Sequence, residues 1–276
     1  MKEKSIGEIT MRKAWRDVLY VLLSVACVVG GGMGAYAVQD QALGYGAGED
    51  FLFGDDIYAD EQIGQLSSAN KALFIDDNLR NIVEPSDIHY HFAHHSVFGD
   101  DYAGTVTVKV NRVRENGRKD LVFRYLQGRH RVRFQPRYNM KTNPLFMLFL
   151  ESDVREMKRV TGGSSLFFRS RLRHSLARAE AEDYTFRHLG EDIRGKRIII
   201  RPYAEFAKDD REMIERFGNF LYKTYEFVLS ESIPGGIYRL RSVVPEAGER
   251  SDRYKIDDML VYRGWESHGE REGDGI

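Results

Sequence analysis

The strict alternation of side chains between residues 105 and 111 constrains the fold most. One face of this segment carries three valines (Val106, Val108 and Val110), and the other face is polar. Period-two alternation of this kind is typical of an antiparallel strand with one buried and one solvated face. Asn116-Gly117 follows, and Asn-Gly is a strong signal for a tight hairpin turn. The sequence therefore predicts a sheet of hairpin-linked antiparallel strands.

Further strands are predicted on the far side of this turn. The alternation slips at Arg112, which indicates either a bulge or a strand that is leaving the core. We predict return strands over residues 121–126 and 129–134, the second with His130, Val132 and Phe134 on one face. These three strands would form a meander.

The periodicity then changes to that of helices. Asn143 is a capping residue, Pro144 suits the first helical position, and the helix is predicted to run to about residue 159. Gly162-Gly163 would end it. A second helix from about Ser165 places three apolar side chains on one face (Phe168, Leu172 and Leu176).

Strands resume after the two helices. We predict strands over 184–189, 197–201, 222–229, 237–244 and 254–262, with a short helix over 204–217. Three consecutive isoleucines, Ile198 to Ile200, indicate a strand buried on both faces. Strands, two helices and strands again predict the α+β class. We expect a curved antiparallel β-meander of about seven to nine strands, with the two-helix insert covering one face.

The N-terminus predicts export. Five basic residues against three acids between residues 2 and 17 precede an apolar run from Val18 to Val29 that only Ser24 interrupts. Ala35-Tyr36-Ala37 then matches a cleavage site, so we predict a signal peptide over residues 1–37, cleaved after Ala37, and a periplasmic domain. Alternatively, the uncharged stretch from Val18 to Ala37 anchors the chain in the inner membrane.

Cysteine usage supports a bacterial envelope protein. The only cysteine is Cys27, inside the leader, so the exported part has no disulfide and no thiol chemistry. The residues before Cys27 fit a lipidation site poorly. The net charge of −1 argues against a nucleic-acid partner.

The remaining chain divides by charge. Residues 38–87 carry eleven acids against Lys71 and Arg80, a local charge of −9, and form a partly irregular acidic arm. We predict one domain over residues 88–265 and a polar tail over 266–276. Within the arm, residues 67–83 have loosely helical apolar spacing and are expected to dock on the domain (Leu73, Phe74, Leu79 and Ile82).

Histidines are the candidate metal ligands. His89, His91, His94 and His95 fall within seven residues, and His89 and His91 share one strand face. Two such ligands with a carboxylate could hold zinc or copper. No motif fixes a third ligand, so we expect no metal and favour a solvent-facing strand edge.

Motifs of catalysis and of cofactor binding are not found in the sequence. The chain has no Gly-x-Ser-x-Gly, no His-Glu-x-x-His and no phosphate-binding loop. We expect no cofactor and favour a protein that is not an enzyme, with a hydrolase lacking a recognisable motif as an alternative.

The candidate ligand-binding residues lie around the first helix. Its first six residues are apolar on every side. A helix buried under the sheet explains this simply. The alternative is the wall of a lipid cavity, with arginines beside it, which nominates eight residues (Phe146, Met147, Phe149, Leu150, Phe168, Leu172, Arg131 and Arg133).

Several segments resemble an uncharacterised family of exported proteobacterial proteins. They are ANKALF at 69–74, PLFMLFLESDVREM at 144–157, GGSSLFFRSRLR at 162–173 and KTYEFVLSESIPGG at 223–236. The family supplies no activity. The architecture is similar to the periplasmic lipoprotein-carrier half-barrels, the Lol carriers, although no functional residue of theirs can be matched here.

These observations predict a periplasmic binding or carrier protein that encloses an apolar small molecule, a lipid or an acylated partner. The alternative is an envelope protein-interaction or assembly factor, acting through the acidic arm or the arginine-bearing strands. Contact with the inner membrane is expected only if the leader stays uncleaved.

Overall fold

The computed structural model describes residues 66–249 and 251–268. The predicted signal peptide, its cleavage site after Ala37 and the first part of the acidic arm lie outside these residues. Within the two described ranges, no helix is long and apolar enough to span a membrane.

Nine antiparallel strands in the described ranges form one open sheet. They are β1 Ser86–Ser96, β2 Tyr102–Val113, β3 Lys119–Tyr125, β4 Arg137–Met140, β5 Glu182–His188, β6 Glu191–Ile200, β7 Thr224–Leu229, β8 Ile237–Pro245 and β9 Tyr254–Ser267. Their order is β4-β3-β2-β1-β9-β8-β7-β6-β5, so the first and last strands pair at the centre. The two halves of the sheet are hairpin meanders.

The described helices are α1 Ser68–Asn70, which continues as a π-turn over Lys71–Ile75, α2 Leu145–Thr161, α3 Ser165–Leu176, α4 Phe206–Asp209 and α5 Arg211–Phe217. Asn143 Oδ1 accepts the first free N–H of α2, from Leu145, at 3.1 Å. Gly162 ends α2 with φ +67°, as the sequence predicted. The predicted α+β class and the two-helix insert are confirmed.

The all-round apolar start of α2 has a structural reason. Every residue from Leu145 to Leu150 is buried, because the sheet covers one side of the helix and other elements cover the rest. Phe146 packs against Phe74 of the N-terminal segment, with ring centroids 5.0 Å apart. Phe168 of α3 is also in this core.

The N-terminal segment 67–83 packs on the same core. Leu73, Leu79 and Ile82 are at most 1% exposed. Asn81 Nδ2 donates to the carbonyl of Ile233 at 2.9 Å. The helical prediction for this segment is wrong beyond Ile75, because the backbone becomes extended at the next residue and turns carry the remaining apolar side chains inward.

The predicted strand over residues 129–134 is wrong. The backbone instead forms a 3₁₀ turn, Gly128–His130, and an isolated bridge between Tyr125 and Val132. Leu126 and Gly128 both have positive φ, of 61° and 59°, which interrupts the extended conformation. The predicted bulge at Arg112 is confirmed by a register shift against β3.

Two other details differ from the sequence predictions. The predicted helix over residues 204–217 is split in two at Asp210, whose side chain accepts the N–H of Met213 at 3.0 Å. Ile199 is 37% exposed, so β6 is buried on one face only.

Candidate functional site

A cleft of about 200 Å³ lies between one face of α2 and the core face of the sheet. Its walls are largely aromatic and apolar, formed by Phe92, Tyr102, Tyr125, Val132 and Phe149. Its polar lining comes from α2, β1 and β9 (Ser152, Asp153, Arg155, Glu156, Arg159, His94 and Asp258). An apolar pocket with a few convergent polar groups is typical of a small-molecule site.

The spacing of residues explains how these side chains meet. Phe149, Ser152, Glu156 and Arg159 recur at intervals of three and four along α2, so they share one face of the helix. His94 follows the buried positions of β1 at a spacing of two. Tyr125 is at a buried position of β3 in the same way.

His94 and Asp258 form a buried pair. Their side chains are 7% and 8% exposed, and His94 Nδ1 contacts Asp258 Oδ1. Burial opposes protonation of the ring, but the hydrogen bond and charge of Asp258, with Glu156 and Asp101, outweigh it and raise the pKa of His94. Burial raises the pKa of Asp258, against the lowering effect of His94. The contact holds the imidazole in a fixed orientation in the cleft.

Asp153 joins α2 to the sheet below the cleft. Its Oδ1 lies 2.5 Å from Nζ of Lys223, and the two side chains are 2% and 0% exposed. Tyr225 donates its hydroxyl to Asp153 Oδ2 at 2.6 Å, and Ser242 donates to Oδ1 at 2.9 Å. Three elements, α2, β7 and β8, therefore meet at one buried carboxylate.

Glu156 and Arg159 form the ion pair at the mouth of the cleft. The guanidinium donates two hydrogen bonds to the carboxylate, at 2.8 Å and 2.6 Å. Burial would raise the pKa of Glu156, but the hydrogen bond and charge of Arg159 lower it. Arg159 is 55% exposed, so this pair faces solvent.

Tyrosines complete the wall. The ring of Tyr102 is stacked between His94 and His130, with centroid distances of 4.5 Å and 3.8 Å. Burial, with the charges of Asp258 and Glu156, raises the pKa of Tyr102 to about 12. The hydroxyl of Tyr125 is buried and has no hydrogen-bond partner among the described residues.

The predicted ligand-binding residues separate into three groups. Phe149 lines the cleft. Five others lie in the packed core (Phe146, Met147, Leu150, Phe168 and Leu172). Arg131 and Arg133 are exposed in the irregular segment after the 3₁₀ turn. The five apolar residues belong to one core, whereas the two arginines are exposed and lie outside it.

His89 and His91, the candidate metal ligands predicted to share a strand face, lie on the face of β1 opposite the cleft. His89 Nδ1 is 3.3 Å from Thr107 Oγ1, and His91 is half-buried. Among the described residues, no three His, Cys, Asp or Glu side chains are placed to hold a metal ion. The expectation of a strand edge is wrong, because β1 lies between β2 and β9.

The sequence reasoning missed the charged residues under α2. Asp258 occupies a position on β9 between the buried Ile256 and Leu260, where the alternation predicts an apolar side chain. His94 does the same on β1 after Phe92. An ionisable residue at a strand position where the alternation predicts an apolar side chain could therefore have identified both His94 and Asp258.

A second cavity, of about 240 Å³, lies between α3 and β6. Its basic lining includes Arg171, His174, Arg178 and Arg201, and Arg171 pairs with Glu205. Basic side chains near the C-terminus of a helix stabilise its dipole, which explains several of them.

The comparisons with known proteins give structural likenesses but no family. No family model matches the chain, and no curated protein matches it. Among solved structures, a LolA superfamily protein from Nitrosomonas europaea is similar at 10% identity, over 72% of this chain and 93% of that chain, with a TM-score of 0.21. This score is too low to establish a shared topology.

The buried His94–Asp258 pair predicts a pH dependence of stability. A histidine whose pKa is raised in the folded state adds stability below its unfolded pKa of about 6.5, and this contribution is lost as the pH rises through the folded value. We expect the wild-type free energy of unfolding to fall above about pH 6.5. In Asp258→Asn this loss should disappear. Burial lowers the pKa of His94, and the substitution removes the main charge that opposes this effect.

Urea unfolding across this pH range measures the effect. Asp192→Asn, at an exposed acid of β6, serves as the control and should keep the wild-type profile. An unchanged profile in Asp258→Asn would show that the pair does not titrate in this range.

Proposed function

We propose that the protein is a binding or carrier protein that holds the apolar part of a ligand in the cleft between α2 and the sheet. The observation that carries the proposal is the aromatic wall beside a polar rim. Phe92, Tyr102 and Phe149 offer apolar contact, while Glu156 and Arg159 face solvent. Such a site suits an amphipathic ligand, a lipid or an acylated partner.

The size of the cleft limits what it encloses. A cavity of about 200 Å³ exceeds the roughly 150 Å³ apolar cavity that holds benzene, but is below the roughly 300 Å³ of sites for drug-sized ligands. The enclosed part is therefore a ring or a short chain segment. A longer chain would extend through the open side, or would require Phe149 and α2 to move.

The predicted leader places this function outside the cytoplasm. We propose that residues 1–37 direct the domain to the periplasm, where a carrier would exchange apolar ligands with envelope partners.

A hydrolase is the second candidate function. His94 with its Nδ1 on Asp258 is a base held by an acid, and Ser152 lines the same cleft. Ester turnover that is lost in both His94→Gln and Ser152→Ala would favour this candidate over a carrier.

Filling the cleft tests the binding proposal. Ser152→Trp should place an indole among the aromatic walls and abolish ligand binding, because the cleft has no room for both. Ser170→Trp, at an exposed position of α3, is the matched control. Native mass spectrometry and organic extraction of each purified protein measure the bound ligand.

We expect apolar ligand with the wild type and with Ser170→Trp, and none with Ser152→Trp. Circular dichroism checks that both variants fold. Equal ligand content in the two variants would place the binding site elsewhere, and its absence from all three would contradict a carrier.

A further inference from the structure

The hydroxyl of Tyr125 is unusual among the groups of the cleft. Tyr125 is 1% exposed and lines the cleft, and its oxygen has no hydrogen-bond partner in the part of the chain that the structure describes. Nearly all buried polar groups in proteins are hydrogen-bonded, and leaving one unpaired is costly. An unpaired donor in a binding cleft therefore indicates a ligand atom as its partner.

The charged groups around Tyr125 already have partners. Asp258 pairs with His94, Asp153 with Lys223 and Glu156 with Arg159. Arg155 also has an interaction within the protein. Each of the three acids that line the cleft is thus paired with a basic side chain, whereas no such contact satisfies the Tyr125 hydroxyl.

We propose that Tyr125 determines ligand specificity by donating a hydrogen bond to an uncharged oxygen, such as the carbonyl of an amide or an ester. This inference rests on the proposed binding function and names the chemical class of its ligand. The apolar part of that ligand would contact Phe92 and Phe149 on either side of the polar group.

Charged head groups fit this arrangement less well. The charges of Asp153 and Asp258 disfavour negative charge at the Tyr125 hydroxyl. They would therefore repel a ligand carboxylate placed there. An ammonium group would have to compete with His94, Lys223 and Arg159 for acids that are already paired. A neutral acceptor disturbs none of these ion pairs.

The protonation state of Tyr125 supports a donor role. Burial, with the charges of Asp258 and Asp153, raises the pKa of Tyr125 well above 10. The hydroxyl therefore keeps its proton throughout the neutral range and can act as a hydrogen-bond donor.

Calorimetric titration with three six-carbon probes tests the proposal on the full-length protein. The probes are hexanamide, hexanoate and hexylamine, which share an alkyl chain and differ in the charge of the head group. We expect the wild type to bind hexanamide most tightly. Tyr125→Phe should weaken hexanamide binding by about tenfold while changing the other two little.

Tyr262→Phe is the matched control, since Tyr262 is buried on the same face of the sheet but does not line the cleft. It should keep the wild-type order of affinities. The melting temperature of Tyr125→Phe should not fall, because the hydroxyl it loses has no partner. A large fall would show that the hydroxyl is satisfied within the unliganded protein and would overturn the proposal.

The titrations distinguish a wrong specificity role for Tyr125 from a wrong binding function. If the wild type binds all three probes equally, or Tyr125→Phe binds hexanamide like the wild type, the specificity role is wrong and the binding function stands. If none of the probes binds the wild type, the proposed binding function fails, and the specificity role fails with it.

Discussion

Replacing Asp153 with alanine should lower the free energy of unfolding by about 3–5 kcal/mol. Lys223 is fully buried, and Asp153 is its ion-pair partner. Without the carboxylate, the ammonium stays in a low-dielectric interior without a counter-charge, and the hydroxyls of Tyr225 and Ser242 lose their acceptor. Urea denaturation measures the loss.

A second substitution should restore much of this stability. Asp153→Leu combined with Lys223→Met removes both charges and replaces them with apolar side chains of similar volume, which is often close to neutral. Glu156→Ala is the control, because its pair with Arg159 is half-exposed and should contribute less than about 1 kcal/mol. A double variant as unstable as Asp153→Ala would show that the hydroxyl contacts, not the buried charge, dominate.

Deleting the N-terminal segment through Val83 should cost more than about 5 kcal/mol or prevent folding. The deletion removes Leu73, Leu79 and Ile82 from the core, and each such loss leaves a cavity. It also removes the hydrogen bond from Ser67 Oγ to the carbonyl of Leu176, at 2.8 Å, which holds the segment to the end of α3.

The shorter deletion of residues 38–66 is the comparison. Residues 38–66 are rich in acids, and glycines interrupt any regular apolar spacing in them, so we expect a melting temperature close to that of the intact chain. Leu79→Ala alone should cost about 2–5 kcal/mol. If both deletions had the same small effect, the packing of residues 67–83 would not matter for stability.

Much of the fold could be predicted from the sequence because its signals are local. The valines of β2, Asn116-Gly117 and the glycines after α2 each dictate a local conformation, and the structure agrees at these places. The strand prediction over 129–134 was wrong because Leu126 adopts a positive φ. A leucine gives no sequence signal for this conformation. The pairing of β1 with β9 joins the two ends of the domain and leaves no local signal.

The candidate site was less predictable, since its residues come from distant parts of the chain. His94 and Asp258 are 164 positions apart, and only the sheet order makes them neighbours. Phe149 was nominated for its apolar surroundings, and it does line the cleft. The other apolar nominees fill the core, because an apolar stretch alone does not distinguish a cavity wall from packed interior.

Chemical-shift mapping tests the central claim, that the cleft under α2 binds the ligand. Hexanamide is titrated into the isotope-labelled protein, and the amide signals are followed. We predict that the shifts cluster at Phe92, Tyr102 and Ser152, while Arg171 and Arg201 in the second cavity stay unchanged. Shifts confined to the second cavity, or no saturable shifts at all, would contradict the account.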